Sequence, residues 1–475
     1  MNNFTISTTL NSNRVFMLQK SEIERRIDPF YYVPELLELE KKVLTKTPKK
    51  LRHYVLSIAS GATPKTTESE KYYAEKEDGI PFLRVQNLSP TGVLEFEDCK
   101  FINHETHNGM LKRSQFSAGD LLVKITGVGR MAVASVVPEG FTGNINQHVC
   151  VIKTGSKKIS DTLAAFLNSD IGEKLASRRS TGGTRPALDY PALLSIPIIE
   201  DERILEITQK VVNRKKQNEV LAEKLLASAD DYLLEELGIV LPIANESNLR
   251  NRIYKTTIKS IFNTRFDSFY NQEKFITNLA SIKNGKFPVK YLIEIVSGNL
   301  VKGSLPKQEE KEGDNSVIQI NCINSDGTIS IENLITAKDI FTKDQKLQNG
   351  DVLVVITGAT IGKISYWKYE GDYYLGGDII KFHTNSLADS SFVFHLLRSI
   401  PMQIEIKRNI TGATNGHLSP EDVKHLLIPL PPLEKQCEIA ARINNLRQQA
   451  QQLKDNTKEA LVQANKEIEE LLIGG

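Results

Sequence analysis

The residue types able to do chemistry gather around two glycine-rich stretches and two Thr-Gly loops. Gly127-Val128-Gly129-Arg130-Met131-Ala132 has the G-x-G-x-x-A form of a dinucleotide fingerprint and follows a strand-like run. The residues after it, 133–138, are again strand-like and stop at Pro138. No helix N-terminus is therefore offered to a pyrophosphate. Gly358-Ala359-Thr360-Ile361-Gly362-Lys363 is one residue too short for a P-loop, and Ser365 is displaced from where magnesium needs a hydroxyl. Both stretches read as structural turns between strands.

Nothing else assembles a catalytic constellation. There is no HExxH pair, no Cys/His cluster, no GxSxG elbow and no Asn-Pro-Pro-Tyr-like tetrad to hold a target adenine. Glu421-Asp422-Val423-Lys424 has a nuclease-like carboxylate–lysine pairing, but it reads better as the charged first turn of a helix after Pro420. No metal site and no resident cofactor are expected, and catalysis is not expected in this chain.

What remains are polar groups suited to binding. Near the repeated turns of the first half lie Lys65, Arg84, Gln86, Asn87, Lys124, Arg130, Gln147, His148, Arg178, Arg179, Thr181, Thr184 and Arg185. The second half offers Lys302, Lys307, Gln319, Asn321, Lys363, Thr411, Thr414, Asn415 and His417. Arg and Lys can contact guanine edges, Asn and Gln adenine edges, and all of them can reach phosphates. The loops at 180–185 and 411–416 stand out, because small residues let the backbone approach a phosphate.

Composition bounds the rest. A net charge of +2 over 475 residues is too small to announce a nucleic-acid binder, so any such surface is a local concentration of Lys and Arg. The four cysteines are scattered, with no CxxC pair, and read as reduced thiols of a cytoplasmic protein. No window approaches a membrane span, and the polar N-terminus has no apolar run of signal-peptide length.

The elements that must position these groups occur twice, in the same order. Arg26-Ile27-Asp28-Pro29-Phe30-Tyr31 is answered by Arg265-Phe266-Asp267-Ser268-Phe269-Tyr270, and Ser60-Gly61 by Ser297-Gly298. The strand and turn at 79–92 are answered at 315–327. Gly119-Asp120 opens a β-branched run ending Ile125-Thr126-Gly127, answered from Gly350-Asp351 to Ile356-Thr357-Gly358. Thr181-Gly182 is answered by Thr411-Gly412, and Ile196-Pro197 by Ile428-Pro429. Short strands with turn residues between them predict a curved β-rich domain in each half, with short helices at 159–175 and 391–407.

After each Ile-Pro comes a long helix pattern. Residues 201–237 contain neither Pro nor Gly; their apolar positions are Ile204, Ile207, Val211, Leu221 and Leu225, with a stop at Gly238. Residues 433–472 carry a heptad seam through Ile439, Ile443, Leu446, Ala450, Leu453, Thr457, Ala460, Ala464 and Leu471. Two stripes this narrow call for one another. The expected fold is α+β: two β-rich domains joined by two long helices in an antiparallel coiled coil, with pseudo-twofold symmetry.

An Arg-x-Asp-x-Phe-Tyr element, a Gly-Asp strand closing on Ile-Thr-Gly, a Thr-Gly-x-Thr loop and Ile-Pro into a long helix, all present twice, resemble the specificity subunit of a type I restriction–modification system. In the second copy, 358–363 and Ile428-Pro429-Leu430-Pro431-Pro432-Leu433-Glu434-Lys435-Gln436 are close to that family's wording; the first copy departs from it at 128–130 and 199–201. The resemblance implies an N-terminal tail at 1–20 and target recognition domains at 21–199 and 250–431. A central helix would span 200–240 and a C-terminal helix 432–475. It further implies double-stranded DNA as ligand, each domain reading half of a bipartite site while the helices set the spacer. Two methyltransferase subunits would dock on the helices and restriction subunits join them. S-adenosylmethionine, ATP and magnesium would then sit on those partners, in a cytoplasmic host-defence system. Two other readings stay open: a self-sufficient DNA methyltransferase, told by methyl transfer from purified protein, and a coiled-coil scaffold indifferent to DNA.

Overall fold

The computed structural model describes residues 10–24, 26–96, 98–242, 265–307, 315–338, 341–412 and 416–474. The expected start of the second domain near residue 250, and the candidates Thr414 and Asn415, lie outside the described residues. The chain divides into two compact units: 1–219 with 454–475, and 220–453. Each unit thus contains part of both long helices, α4 (Glu202–Leu237) and α8 (Leu433–Ile473).

In the first unit, strands β1 (Ser57–Ser60), β8 (Val149–Lys153), β5 (Leu121–Lys124) and β6 (Ala134–Val136) form an antiparallel sheet in that order. A second sheet runs β3 (Lys100–Ile102), β2 (Ile80–Leu83), β7 (Gly143–Ile145), β4 (Gln115–Phe116), with β2 and β7 parallel. All four residues of β5 are buried, Leu121, Leu122 and Val123 as an apolar run between two packed layers. The Gly-Asp pair that opens β5 is structural. Gly119 holds φ +85°, and the Asp120 carboxylate accepts from Ser117 N (2.8 Å) and pairs with Lys153 Nζ (2.8 Å) on β8.

The second unit repeats this plan. Strands β10 (Val301–Lys302), β16 (Ile379–Phe382), β13 (Val352–Val355) and β14 (Ile364–Tyr366) form its antiparallel sheet. Beside it β12 (Ile335–Ala337), β11 (Asn315–Ile318) and β15 (Tyr373–Leu375) form a second, with β11 and β15 parallel. Gly350 has φ +96°, and Asp351 pairs with Lys381 Nζ (2.8 Å) on β16. One expected equivalence changes. Gly61 corresponds not to Gly298 but to Gly303, because in both places the chain crosses the parallel strand with no room for a side chain. A Cβ on Gly61 would lie 1.6 Å from Ile145 O, and one on Gly303 1.8 Å from Gly376 O.

Each expected short helix is in fact two. In the first unit α2 (Lys157–Asn168) gives way to α3 (Asp170–Arg179) at Ser169, whose extended backbone breaks the first helix. Its hydroxyl donates to Phe166 O (2.6 Å) and accepts from Gly172 N (3.0 Å), closing one helix and capping the next. In the second unit α6 (Ser390–Arg398) and α7 (Ile400–Asn409) meet at Ser399, with Pro401 in the first turn of α7. Ahead of each sheet stand α1 (Pro34–Lys46) and α5 (Glu273–Lys283), which close the respective cores.

The long helices run antiparallel within each unit. In the first, Ile204 and Ile207 share a core with Ile468, Leu471 and Leu472, while further along α4 Asn218 Nδ2 donates to Thr457 Oγ1 (2.9 Å). In the second, Asp230 meets Arg447 at 3.4 Å and Glu236 meets Lys435 at 3.0 Å. The seam of α4 differs from expectation: Leu221 is exposed, and Ala222 and Ala229 are buried in its stead. On α8 the seam follows Ile439, Ile443, Leu446, Ala450 and Thr457 as expected. It ends through Ala464, Ile468 and Leu472, not Leu471, because there the helix also faces the domain core. Gly238 stops α4 at φ +66°, with Ile239 N bonded back to Leu234 O (2.9 Å). No helix among the described residues is long and apolar enough to cross a membrane.

One buried group makes the second unit acid-sensitive. His395 on α6 packs against α8, its Nε2 donating to Asn444 Oδ1 (2.8 Å) and its Nδ1 left without a partner. Burial, countered in part by the Asn444 bond and reinforced by Arg447 and Arg398, holds its pKa down at about 3. Below the unfolded value near 6.5 the unfolded chain takes a proton that the native imidazole refuses. Stability present at neutral pH is therefore lost as pH falls from about 6.5 towards 3. From pH 7 to pH 5 this group alone costs about 2 kcal/mol. Denaturant titrations at the two pH values should show His395→Gln losing less than the parent by that amount; equal losses would refute the assignment.

Candidate nucleic-acid interface

At one end of the first unit's antiparallel sheet four loops converge. The Thr-Gly loop is a hairpin: Thr181 N donates to Ala187 O and Ala187 N to Thr181 O, both at 2.8 Å. It is clasped to the turn after β5 by a bridge between Thr126 and Ala187 and by Gly127 N to Pro186 O (3.0 Å). Ile125 N in turn donates to His148 O (2.9 Å), and Gln147 touches Thr63 from the loop after β1. Gly182 holds φ +94°, and a Cβ on Gly183 would meet nothing within 4 Å, so the hairpin tip is open backbone.

The side chains around this rim are mostly available. Thr181, Thr184, Arg185, Gln147 and Lys65 are exposed, Lys65 lying 3.6 Å from Glu68. His148 is half-buried, and burial together with the Arg185 guanidinium pushes its pKa down. Lys124 is instead buried, donating to Val128 O (2.7 Å), so it braces the β5–β6 turn from within. Arg130 is tied to Asp170 (2.8 Å) and to Asn168 O (2.7 Å). Arg84, Gln86 and Asn87 sit apart, on the hairpin of the second sheet. Arg84 donates to Asp98 O (2.8 Å) and to the Gln86 amide oxygen, while Asn87 is buried.

The second unit builds the same end. Thr411 N donates to His417 O (2.8 Å) and His417 N to Thr411 O (2.7 Å), Thr357 bridges His417, and Ile356 N donates to Asp378 O (3.0 Å). Lys302 and Thr411 are exposed there, with His417 half-buried. Lys307 is exposed a few residues beyond β10, and Lys363 donates to Ile323 O (3.1 Å). Gln319 and Asn321 lie on the separate hairpin that answers Arg84 to Asn87. Asp378, a non-glycine residue at φ +65°, takes the place of His148; the two rims therefore differ in charge. Sequence reasoning missed Asp378 because a single Asp carries no sign of a left-handed backbone, and it missed Val128, exposed at the tip of the β5–β6 turn.

Two candidate arginines belong to the interior. Arg178 and Arg179 form a buried ion pair with Glu40, and burial lowers the Arg179 pKa to about 10. The Arg178 guanidinium lies 4.0 Å over the Tyr31 ring and its Nε donates to Tyr31 O (2.7 Å). Arg26, paired with Asp28 (2.8 Å), donates to the carbonyls of Arg179 (2.6 Å) and Ser180 (2.8 Å) and so fixes the root of the Thr-Gly hairpin. The second unit repeats the lock with Arg408 over Tyr270 (4.0 Å) and Arg265 on Asn409 O (3.3 Å). The Arg-x-Asp-x-Phe-Tyr element is thus a brace for the loop that follows α3 or α7.

Residues 282–463 match the family described as type I restriction modification DNA specificity domain. The chain is 21% identical over 444 residues to the type I restriction enzyme EcoBI specificity subunit of Escherichia coli, covering 88% of this chain and 83% of that one. Over 204 residues it is 24% identical to the EcoKI specificity subunit of Escherichia coli strain K12, covering 40% and 43%. Among solved structures, the type I restriction-modification S subunit from M. genitalium aligns with TM-score 0.44 at 12% identity, over 88% of this chain and 93% of that one. HsdS from Thermoanaerobacter tengcongensis aligns with TM-score 0.34 at 15% identity, over 90% and 94%. Over most of its length the chain is thus similar to specificity subunits of type I restriction enzymes, and the DNA specificity domain match lies in its second half.

The two classes of arginine should separate on mutation. Arg178→Ala removes one of the two cations on the half-buried Glu40 together with a buried guanidinium packed on Tyr31, and should lower stability by about 2 kcal/mol or more in denaturant melts. Arg185→Ala, on the exposed rim, should leave the melt within about 0.5 kcal/mol of the parent. Equal effects would contradict the division.

Proposed function

We propose that each unit reads one half of a bipartite double-stranded DNA site through its four-loop rim, and that α4 and α8 set the spacer between the halves. The target recognition domains are residues 21–199 and 250–431, with the helices at 200–240 and 432–475 as the frame. Two methyltransferase subunits dock on that frame and restriction subunits join them, carrying S-adenosylmethionine, ATP and magnesium, in a cytoplasmic host-defence complex. Lys65, Gln147, His148, Thr181, Thr184 and Arg185 contact DNA from the first rim. Lys302, Thr411, Thr414, Asn415, His417 and Lys363 contact it from the second. Arg84, Gln86, Gln319 and Asn321 flank these rims. Asn87, Lys124 and Arg130 act by holding the loops.

The observation that carries this reading is the clasped Thr-Gly hairpin, built twice by the same backbone bonds but rimmed by different side chains. A shared frame with unlike edges is what two different half-sites require. Arg185→Ala should weaken DNA binding and reduce the slope of log affinity against log salt by about one.

The direct test is domain exchange. Replacing residues 21–199 by the matching domain of a relative, in cells that hold the partner subunits, should change one half of the methylated motif and leave the other. A change in both halves together would contradict independent reading.

A further inference from the structure

The two units differ where the helix after the main sheet leans on the long helices. The hydroxyl pairs Thr154–Ser160 (2.9 Å) and Thr384–Ser390 (2.6 Å), with Ser169 and Ser399 at the breaks, align α2 with α6 without a gap. Ala164 then answers Phe394, and Asn168 answers Arg398. In the second unit the Phe394 ring fills the junction. It reaches within 3.0 Å of a Cβ placed on Gly327 and lies 5.8 Å from the Tyr366 ring, with the Arg398 guanidinium 5.3 Å from its centroid. In the first unit the same place is an open crevice of about 260 Å³ between the Gly92 turn, α2 and the Leu205, Thr208 and Val212 face of α4. A Cβ on Gly92 would meet only Asn168, at 3.9 Å. At its rim Glu139 is exposed, with no ion pair among the described residues, whereas Asp161 is neutralised by Lys157 (2.7 Å).

We propose that this crevice is a docking pocket for an aromatic side chain next to an arginine or lysine on a methyltransferase subunit, a partner that rests on the function proposed above. The second unit supplies the pattern for the occupant: a phenyl ring in the crevice and a guanidinium beside it, here answered by the Glu139 carboxylate. An apolar cleft with one uncompensated carboxylate at its edge is complementary to that pair. Because the second unit fills its own junction, only one methyltransferase copy makes this contact. The two copies therefore dock by unequal surfaces.

The test uses the full chain co-expressed with its methyltransferase subunit. Ala164→Phe, which gives the first unit the ring of the second, should lower the affinity for one partner copy at least ten-fold, so that native mass spectrometry finds one methyltransferase per chain in place of two. Glu139→Lys should weaken the same copy without altering the fold. p-Benzoylphenylalanine introduced at position 209 on the crevice wall should crosslink to the partner. Two copies retained at parental affinity in both substitutions, or no crosslink from position 209, would overturn the proposal. So would binding of indole in the crevice that leaves assembly unchanged, which would mark a small-molecule site. DNA sequence preference measured on the same samples separates the two ideas. If preference persists while these variants assemble normally, only the pocket fails; its absence in the parent would remove the functional reading itself.

Discussion

Neither long helix has a core of its own, and this constraint governs the rest of the structure. An isolated helix with so narrow an apolar stripe gains its stability from what packs on that stripe, not from propensity. Along α4 the buried positions include Ile204, Ala222, Ala229, Leu233 and Leu237; along α8 they include Ile439, Ile443, Ala450, Ala464, Ile468 and Leu472. Alanines in the seam let the backbones approach closely. The larger residues at either end are members of the domain cores themselves. Each domain is thus seated on both helices by core contacts, and the helices continue unbroken from one compact unit into the other.

The second organising feature is how the chain disposes of its charge. Arg178, Arg179 and Arg408 are spent inside, over tyrosine rings and against carboxylates, and Lys153 and Lys381 are held by the Asp of each Gly-Asp pair. Such groups stabilise by pairing once desolvated, and none of them is free to meet a phosphate. The cations left on the rims are few, which fits a net charge of +2. Under the proposed function, recognition would then depend on the geometry of a braced hairpin more than on a general basic field.

Much of this was legible in the sequence because it rests on local rules. The Gly-Asp turns, the apolar central strands, the Thr-Gly loops and the Gly238 stop each have a local cause that short motifs reveal. What was not legible depends on tertiary context. Leu221 has the hydrophobicity of a seam residue, yet Ala222 is on the side that faces α8. Ser169 and Ser399 look like interior helix residues until their hydroxyls are seen to close one helix and, at Ser169, open the next. Gly61 and Gly303 are matched by a steric crossing, not by neighbouring letters. Arg178 reads as a surface cation in a basic stretch, and only the fold places Tyr31 and Glu40 around it.

The function proposed above requires that helix length, not loop sequence, sets the spacing of the two half-sites. The compact units part between Glu219 and Val220 and between Leu453 and Lys454, where both helices are continuous. Inserting one heptad in each helix at those two points keeps the seam in register and adds about 10 Å of helix. That corresponds to roughly three base pairs of B-DNA and about a quarter turn of the duplex. The measurement is the methylated motif of cells carrying the lengthened chain. The account predicts unchanged half-sites with a spacer longer by about three base pairs; an active protein that keeps the original spacer would contradict it.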